Sequence, residues 1–223
     1  GQRGETANLP TAQAILDKYV AAVGGEAALA AIQNVTITSQ RLAFGNSTPE
    51  TVVRAEGKLL ITDGANAKSG YDGAQFWGWS SRGGLRDLGT DAIGQLQTDL
   101  GLYPAAGLKA EGARVFGEQP VAGATAYVVA VRTPAGFARY YFDASSGLLL
   151  RIVTSTPTYL GSLPLQVEYS DYRAVAGGAK LPFDINWSTH DRTWERKVDS
   201  IQLNTAVNPA AFAPPAAPAA GGQ

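Results

Sequence analysis

The sequence predicts a mainly β protein of the α+β kind: a curled antiparallel sheet, or incomplete β-barrel, of about ten to eleven strands wrapped over N-terminal and mid-chain helices. Three observations carry this expectation. From Asn34 onward the apolar residues recur mostly with a period of two. Turn signals interrupt them at short intervals: Gly45-Asn46, Asp63-Gly64, Asp72-Gly73, Thr133-Pro134-Ala135-Gly136 and Gly177-Gly178. Connections that short join antiparallel neighbours, because parallel strands need a long crossover.

Residues 1–10 have no period and read as a flexible lead-in. Thr11 is then a plausible N-cap, and Ile15, Leu16, Tyr19, Val20 and Val23 form one apolar helical stripe that stops at Gly24-Gly25. A second short helix covers Glu26–Ile32. Candidate strands follow at 34–44, 51–61, 66–71, 75–80, 110–116, 124–133, 136–143, 147–157, 164–173, 180–190 and 193–203. Between them Thr90–Leu102 is the exception, with Ile93, Leu96 and Leu100 at helical spacing. Residues 11–213 read as one domain, with Phe212 as a terminal anchor. The Pro/Ala/Gly-rich stretch 214–223 reads as a disordered tail.

Along Leu181–Ser188, apolar Leu181, Phe183, Ile185 and Trp187 alternate with polar neighbours, as in a half-buried strand. Ala126–Val131 and the flanks of "YYFDASSGLLLRIV" (Tyr140–Val153) are apolar on both faces, so something must cover the second face. Within that last stretch, Asp143, Ser145 and Ser146 form the corner of a hairpin, with Gly147 supplying a positive φ. A curled sheet laid over helices leaves an apolar cleft between the layers.

Composition narrows the function. In 223 residues, 45% are hydrophobic and 17% charged, enough for a packed core, and the formal net charge is −1. That balance offers no electrostatic footprint for nucleic acid. There is no Cys, which removes disulfides, thiolate metal sites and covalent haem. There is also no Met, which implies loss of the start by signal-peptide cleavage or by trimming, and the former fits a periplasmic or secreted protein. No apolar run approaches the roughly 18 residues of a membrane span.

Catalytic chemistry has few places to sit. The single His, His190, lies between Asp191 and a strand end, with no nucleophile elbow elsewhere in the sequence, and reads as a hairpin residue. "DGANAKSGYDG" (Asp63–Gly73) holds calcium-type ligands without EF-hand spacing, and two Asp-Gly turns account for it. "GWSSRGG" and "AVAGGAKLP" match no phosphate-binding loop. No enzyme activity, metal or cofactor is expected. The aromatic set Phe44, Trp77, Trp79, Tyr140, Phe142, Phe183 and Trp187 is either ordinary core or the lining of a cleft for an acyl chain.

The order of these pieces carries a resemblance. The helix "ILDKYVAAVGGEAAL" comes first, then "YDGAQFWGWS", "LRDL", "GEQPVAGATAYVVAVRTPAGFARYYFDASSGLLLRI", "VEYSDYRAVAGGAKLPFDINWS" and "VDSIQLNTAVNPAAFAPP". The series resembles the bacterial outer-membrane lipoprotein-sorting proteins of the LolA/LolB-like superfamily, in its uncharacterised periplasmic branch, over about residues 11–213. That resemblance implies an incomplete barrel closed by helices, a cavity for lipid or lipoprotein acyl chains, and a basic residue inside it, for which Arg41 and Arg54 are the candidates. The first helical stretch also looks like the segment after haem domains in chains similar to a reaction-centre cytochrome subunit. That implies a second reading: an accessory module of a larger periplasmic or cell-surface assembly associated with c-type cytochromes, itself without haem for want of a C-x-x-C-H motif.

Overall fold

The computed structural model describes residues 8–134 and 136–217. Of the expected lead-in over 1–10, residues 1–7 lie outside the described residues, and of the tail over 214–223, residues 218–223 do.

Two helices open the chain, α1 (Ala12–Ala22) and α2 (Glu26–Ala30), and Thr11 caps α1 by accepting from the Ala14 amide at 3.1 Å. Six strands follow: β1 (Asn34–Ala43), β2 (Asn46–Ala55), β3 (Lys58–Asp63), β4 (Ala67–Tyr71), β5 (Phe76–Ser80) and β6 (Gly84–Arg86). Helix α3 (Thr90–Asp99) then leads to β7 (Ala113–Val121), β8 (Ala124–Thr133), β9 (Gly136–Asp143), β10 (Leu149–Thr158), β11 (Gly161–Ala174), β12 (Lys180–Ser188) and β13 (Thr193–Leu203).

All thirteen strands found among the described residues belong to one antiparallel sheet, ordered β6-β5-β4-β3-β2-β1-β13-β12-β11-β10-β9-β8-β7. The chain starts at the centre, runs out to one edge, crosses by α3 to the other edge, and meanders back to pair β13 with β1. The sheet curls without closing, as expected of a curled sheet or incomplete barrel, and has its edges at β6 and β7.

Two differences from the expected strands have a physical cause. The strand expected over 51–61 is a hairpin, β2 turning into β3 at Glu56-Gly57, with φ of 53° and 73°. Phe44-Gly45 and Ala122-Gly123 reverse the chain in the same way. A two-residue turn with both φ positive normally opens with Asn or Asp, so Glu, Phe and Ala in that place conceal it. The strand expected over 110–116 lies at 113–121 and includes Pro120, which an edge strand tolerates because one side needs no amide donor. With β6, these changes raise the expected count to thirteen.

One face of the sheet, the inner face, carries the core. Tyr19 of α1 meets Phe142 edge-on at 5.5 Å, within a cluster that includes Ile15, Leu149, Val167 and Trp187. Val35, Ile37, Val52, Leu59 and Ile61 pack under Leu96 of α3. The outer face of β7–β10 has its own small cluster: Val121, Ala126, Val128 and Tyr141, joined by Leu150 and Val153. The second face of these apolar strands is thus covered by side chains of the sheet itself, with the Arg151 guanidinium 5.4 Å over the Tyr141 ring. The hairpin corner behaves as its sequence implies. Asp143 Oδ1 accepts from the amides of Ser145 and Ser146, and Gly147 (φ 83°) lets the turn lie against Lys18 of α1.

Candidate functional site

The space between the inner face and α3 is the candidate site. Of the buried residues of α3, Gly94, Leu96 and Asp99, only Leu96 is a large apolar group. The helix is attached mainly by polar contacts. Trp194 Nε1 donates to Gln95 Oε1 at 2.6 Å, and Trp187 Nε1 donates to Thr98 Oγ1 at 2.9 Å. The two indoles stack with centroids 6.3 Å apart.

Beneath them lies a buried ionic network. Arg196, on β13, grips Asp99 of α3 with two hydrogen bonds of 2.7 and 2.9 Å and also donates through Nε to Glu50 on β2. Arg54, on the same face of β2 as Glu50, reaches Asp99 Oδ1 at 3.3 Å and donates through Nε to its backbone carbonyl. Ser39 Oγ donates to Glu50 Oε1 at 3.2 Å. Register explains the convergence: Glu50, Val52 and Arg54 share one face of β2, and Ser39 pairs with both Glu50 and Val198.

Burial would push the Asp99 carboxyl up, but Arg196 and Arg54 outweigh it and hold it below the ordinary range. Burial is the first influence on both arginines as well. It leaves Arg54 below its usual value, while Asp99 and Glu50 more than restore Arg196. Asp99 is therefore held as a fixed negative charge and is no proton donor suited to neutral pH. Arg54 Nη1 is buried without a hydrogen-bond partner among the described residues.

Space at the site is limited. A void of about 30 Å³ remains between Arg54, Thr98, Leu102, Leu181 and Trp187. Toward the end of the sheet that carries the β1–β2 turn, a polar recess of about 110 Å³ lies between α3 and Arg41, Glu50, Asp63, Arg86 and Arg192. At that end a wider groove of about 440 Å³ runs past Phe44, Asn186 and Trp194. Sites for small ligands are typically ~300–1,000 Å³, so the void and the recess beside α3 are each smaller than such a site.

The sequence-derived candidates separate into three places. Tyr140, Phe142, Phe183 and Trp187 face inward, with Phe142 and Trp187 fully buried and Arg173 lying 4.6 Å over the Phe183 ring. Arg54 sits inside the network, while Arg41 lies in the polar recess, 3.9 Å from Asp63. Trp77 and Trp79 point away from the cleft. A side chain at Gly78, between them, would run into Leu88 on the α3 side. Trp77 is buried on the outer face, where its Nε1 donates to the Phe212 carbonyl at 2.9 Å, and Lys68 lies 5.9 Å over Trp79. Phe44 occupies the β1–β2 turn and is 77% exposed. His190 is in the β12–β13 turn, and among the described residues no group of His, Asp and Glu is placed to hold a metal.

Sequence reasoning did not find Glu50, Asp99, Arg196 or Trp194. Glu50 and Arg196 sit at inward positions of strands whose neighbours are apolar, Val52 and Val198, and a charge in that register was the available signal.

No family model matches the sequence, and no curated protein does. Solved structures match the fold. A DUF1329 family protein from Desulfovibrio piger superimposes with a TM-score of 0.62 at 11% identity, over 92% of this chain and 98% of that one. A domain described as outer membrane lipoprotein-sorting, from Vibrio parahaemolyticus, gives 0.58 at 9% identity, over 88% and 97%. A LolA superfamily protein from Nitrosomonas europaea gives 0.50 at 12%, over 92% and 98%. These proteins share the overall fold of this chain, and the chain has a LolA-like fold.

Proposed function

We propose that this chain is a non-enzymatic, exported domain, periplasmic or secreted, that takes an apolar ligand such as a lipid or lipoprotein acyl chain between its inner face and α3. One observation carries the reading: an apolar sheet face is covered by a helix held mainly through side-chain hydrogen bonds and ion pairs. A buried ion network adds little net stability over an apolar replacement, so α3 is specified in position but is not strongly anchored. Lifting it exposes Val52, Leu59, Ile61 and Trp187 as a floor for an acyl chain, at ~0.8 kcal/mol per buried CH₂. The spare Nη1 donor of Arg54 is available to a carbonyl or carboxylate at the polar end of the ligand. The LolA-like fold supports this reading.

The test is uptake of a fluorescent fatty acid, followed by energy transfer from Trp187 and Trp194, with native mass spectrometry of protein purified from its own host. Saturable uptake and a co-purified lipid are the expected results. Absence of both, in the wild type and in an Asp99→Asn variant with a loosened helix, refutes the reading. The other reading is a structural module that docks a partner protein through a strand edge or an apolar patch, and the edges themselves do not favour the first of these. β6 is three residues long and β7 carries a bulge at Val115–Gly117 and Pro120, features that blunt strand addition.

A further inference from the structure

The two ends of the sheet differ. At one end, α1 lies against the Asp143–Leu148 hairpin corner, and Lys180 N donates to Val23 O as the chain enters β12. The opposite end is open and carries the turns Phe44-Gly45, Ser81–Gly83, Tyr159–Leu160 and Thr189–Arg192, together with the link from β8 to β9. Among the described residues seven large apolar side chains are exposed: Phe44, Leu85, Phe116, Phe137, Tyr159, Leu160 and Leu163. Six lie in or within a few residues of the open-end turns, and Phe116 lies midway along edge strand β7.

The β10–β11 hairpin projects from this end. Pairing of β10 with β9 stops at Val153–Arg139, and pairing of β11 with β12 starts only at Gln166–Ser188. Between them the two strands pair with each other out to Thr158–Gly161. The arm extends roughly 15 Å beyond its last pair with either neighbour, at ~3.3 Å per residue. No charged residue occurs from Ile152 to Val167, and the tip presents Tyr159 at 96% and Leu160 at 85% exposure. Pro164, in β11, blunts that strand against an incoming strand of another protein. Arginines flank the apolar groups: Arg132 lies 5.4 Å over Phe137, Arg114 lies 5.3 Å over Phe116, and Arg192 lies 5.8 Å over Phe44. Arg82, Arg86 and Arg139 are exposed in the same half of the sheet, against exposed Asp87, Glu111 and Asp191.

The geometry points to a phospholipid bilayer surface as the partner of this rim. An uncharged wedge ending in Tyr-Leu, flanked by Phe and Arg, is the chemistry of the bilayer interface, where aromatic rings sit at headgroup depth and arginines meet phosphates. The groove past Phe44 and Trp194 opens at the same rim, so docking sets that groove against the lipid surface. This inference does not depend on the ligand proposal: a chain whose cleft takes no acyl chain still docks.

The test is co-sedimentation of the full chain with vesicles of phosphatidylethanolamine and phosphatidylglycerol, and with vesicles of phosphatidylcholine alone. The wild type is expected to bind the first set more tightly, and less so at high salt. Tyr159→Ser with Leu160→Ser should weaken partitioning by roughly tenfold or more, given that each side chain leaves water on insertion. Phe44→Asn keeps the fold, because Asn-Gly suits that turn better, and should also reduce binding. Tyr159→Trp should shift its emission to the blue on binding and be quenched by brominated lipid. The proposal is overturned by no sedimentation with either vesicle, by binding that ignores the tip substitutions, or by a wild type that self-associates through the rim and leaves vesicles alone.

Discussion

Asp99→Asn tests the account of α3 most directly. In the wild type Asp99 receives two hydrogen bonds from Arg196 and one from Arg54, and the three side chains are between 1% and 11% exposed. Two arginines and two carboxylates balance. Asn is nearly isosteric, but it removes one negative charge and turns an N–H toward a guanidinium. Breaking a buried pair from one side costs about 3–5 kcal/mol. That fits within a domain stability of ~5–15 kcal/mol, so the variant should fold and melt roughly 10 °C lower or more.

The loss should be local. Hydrogen exchange should rise first in the amides of α3, ahead of β1 and β13. Adding Arg54→Met removes the surplus cation and should recover roughly 1–2 kcal/mol, since neighbours in one network couple. The pH dependence has a definite sign. The folded value of Asp99 lies below its unfolded 3.8, so its contribution is complete above pH 3.8 and is lost as the pH falls below that. The gap between wild type and Asp99→Asn should therefore narrow only in that acid range. A loss under ~1 kcal/mol, no recovery from Arg54→Met, or a gap that ignores acid refutes the reasoning.

Three further outcomes follow from other contacts. Burial raises Asp63 despite Arg41, so the wild type loses stability as pH climbs from 3.8 through the folded value; Asp63→Asn should melt higher at pH 7, with the advantage vanishing below about pH 4. Phe212→Ala should cost about 3–5 kcal/mol in urea unfolding and shift Trp77 emission to the red, because Phe212 is buried and its backbone accepts from that indole. Phe44→Asn relieves an unfavourable left-handed φ of 52° and should stabilise by about 1 kcal/mol, seen as a rise of a few degrees in the melting temperature.

Alternation made most of the sheet legible. β8, β9 and β13 lie where their period and turns put them, and Thr11 caps α1 as its position implied. What stayed hidden was carried by single residues against the local pattern. Glu56 and Ala122 hold positive φ where Asn is expected, so their turns left no mark in composition. Glu50, Asp99 and Arg196 are 11, 49 and 97 residues away from Ser39, Glu50 and Asp99 respectively, and only tertiary pairing makes them one group. Trp77 and Trp79, two residues apart, share one face of β5, but period two cannot say which face looks at the helices.

The β1–β13 ladder at the centre of the sheet has a kinetic consequence. Val35 pairs with Leu203, and every other strand contact is a hairpin between near neighbours. Each wing, 34–86 and 113–203, therefore forms from local contacts, while the seam that unites them closes a loop of most of the chain. Such long-range contacts are slow because the entropy of closure comes before any gain. The seam should be the last part of the sheet to form, and α3, which spans from one wing to the other, can settle over the inner face only after it.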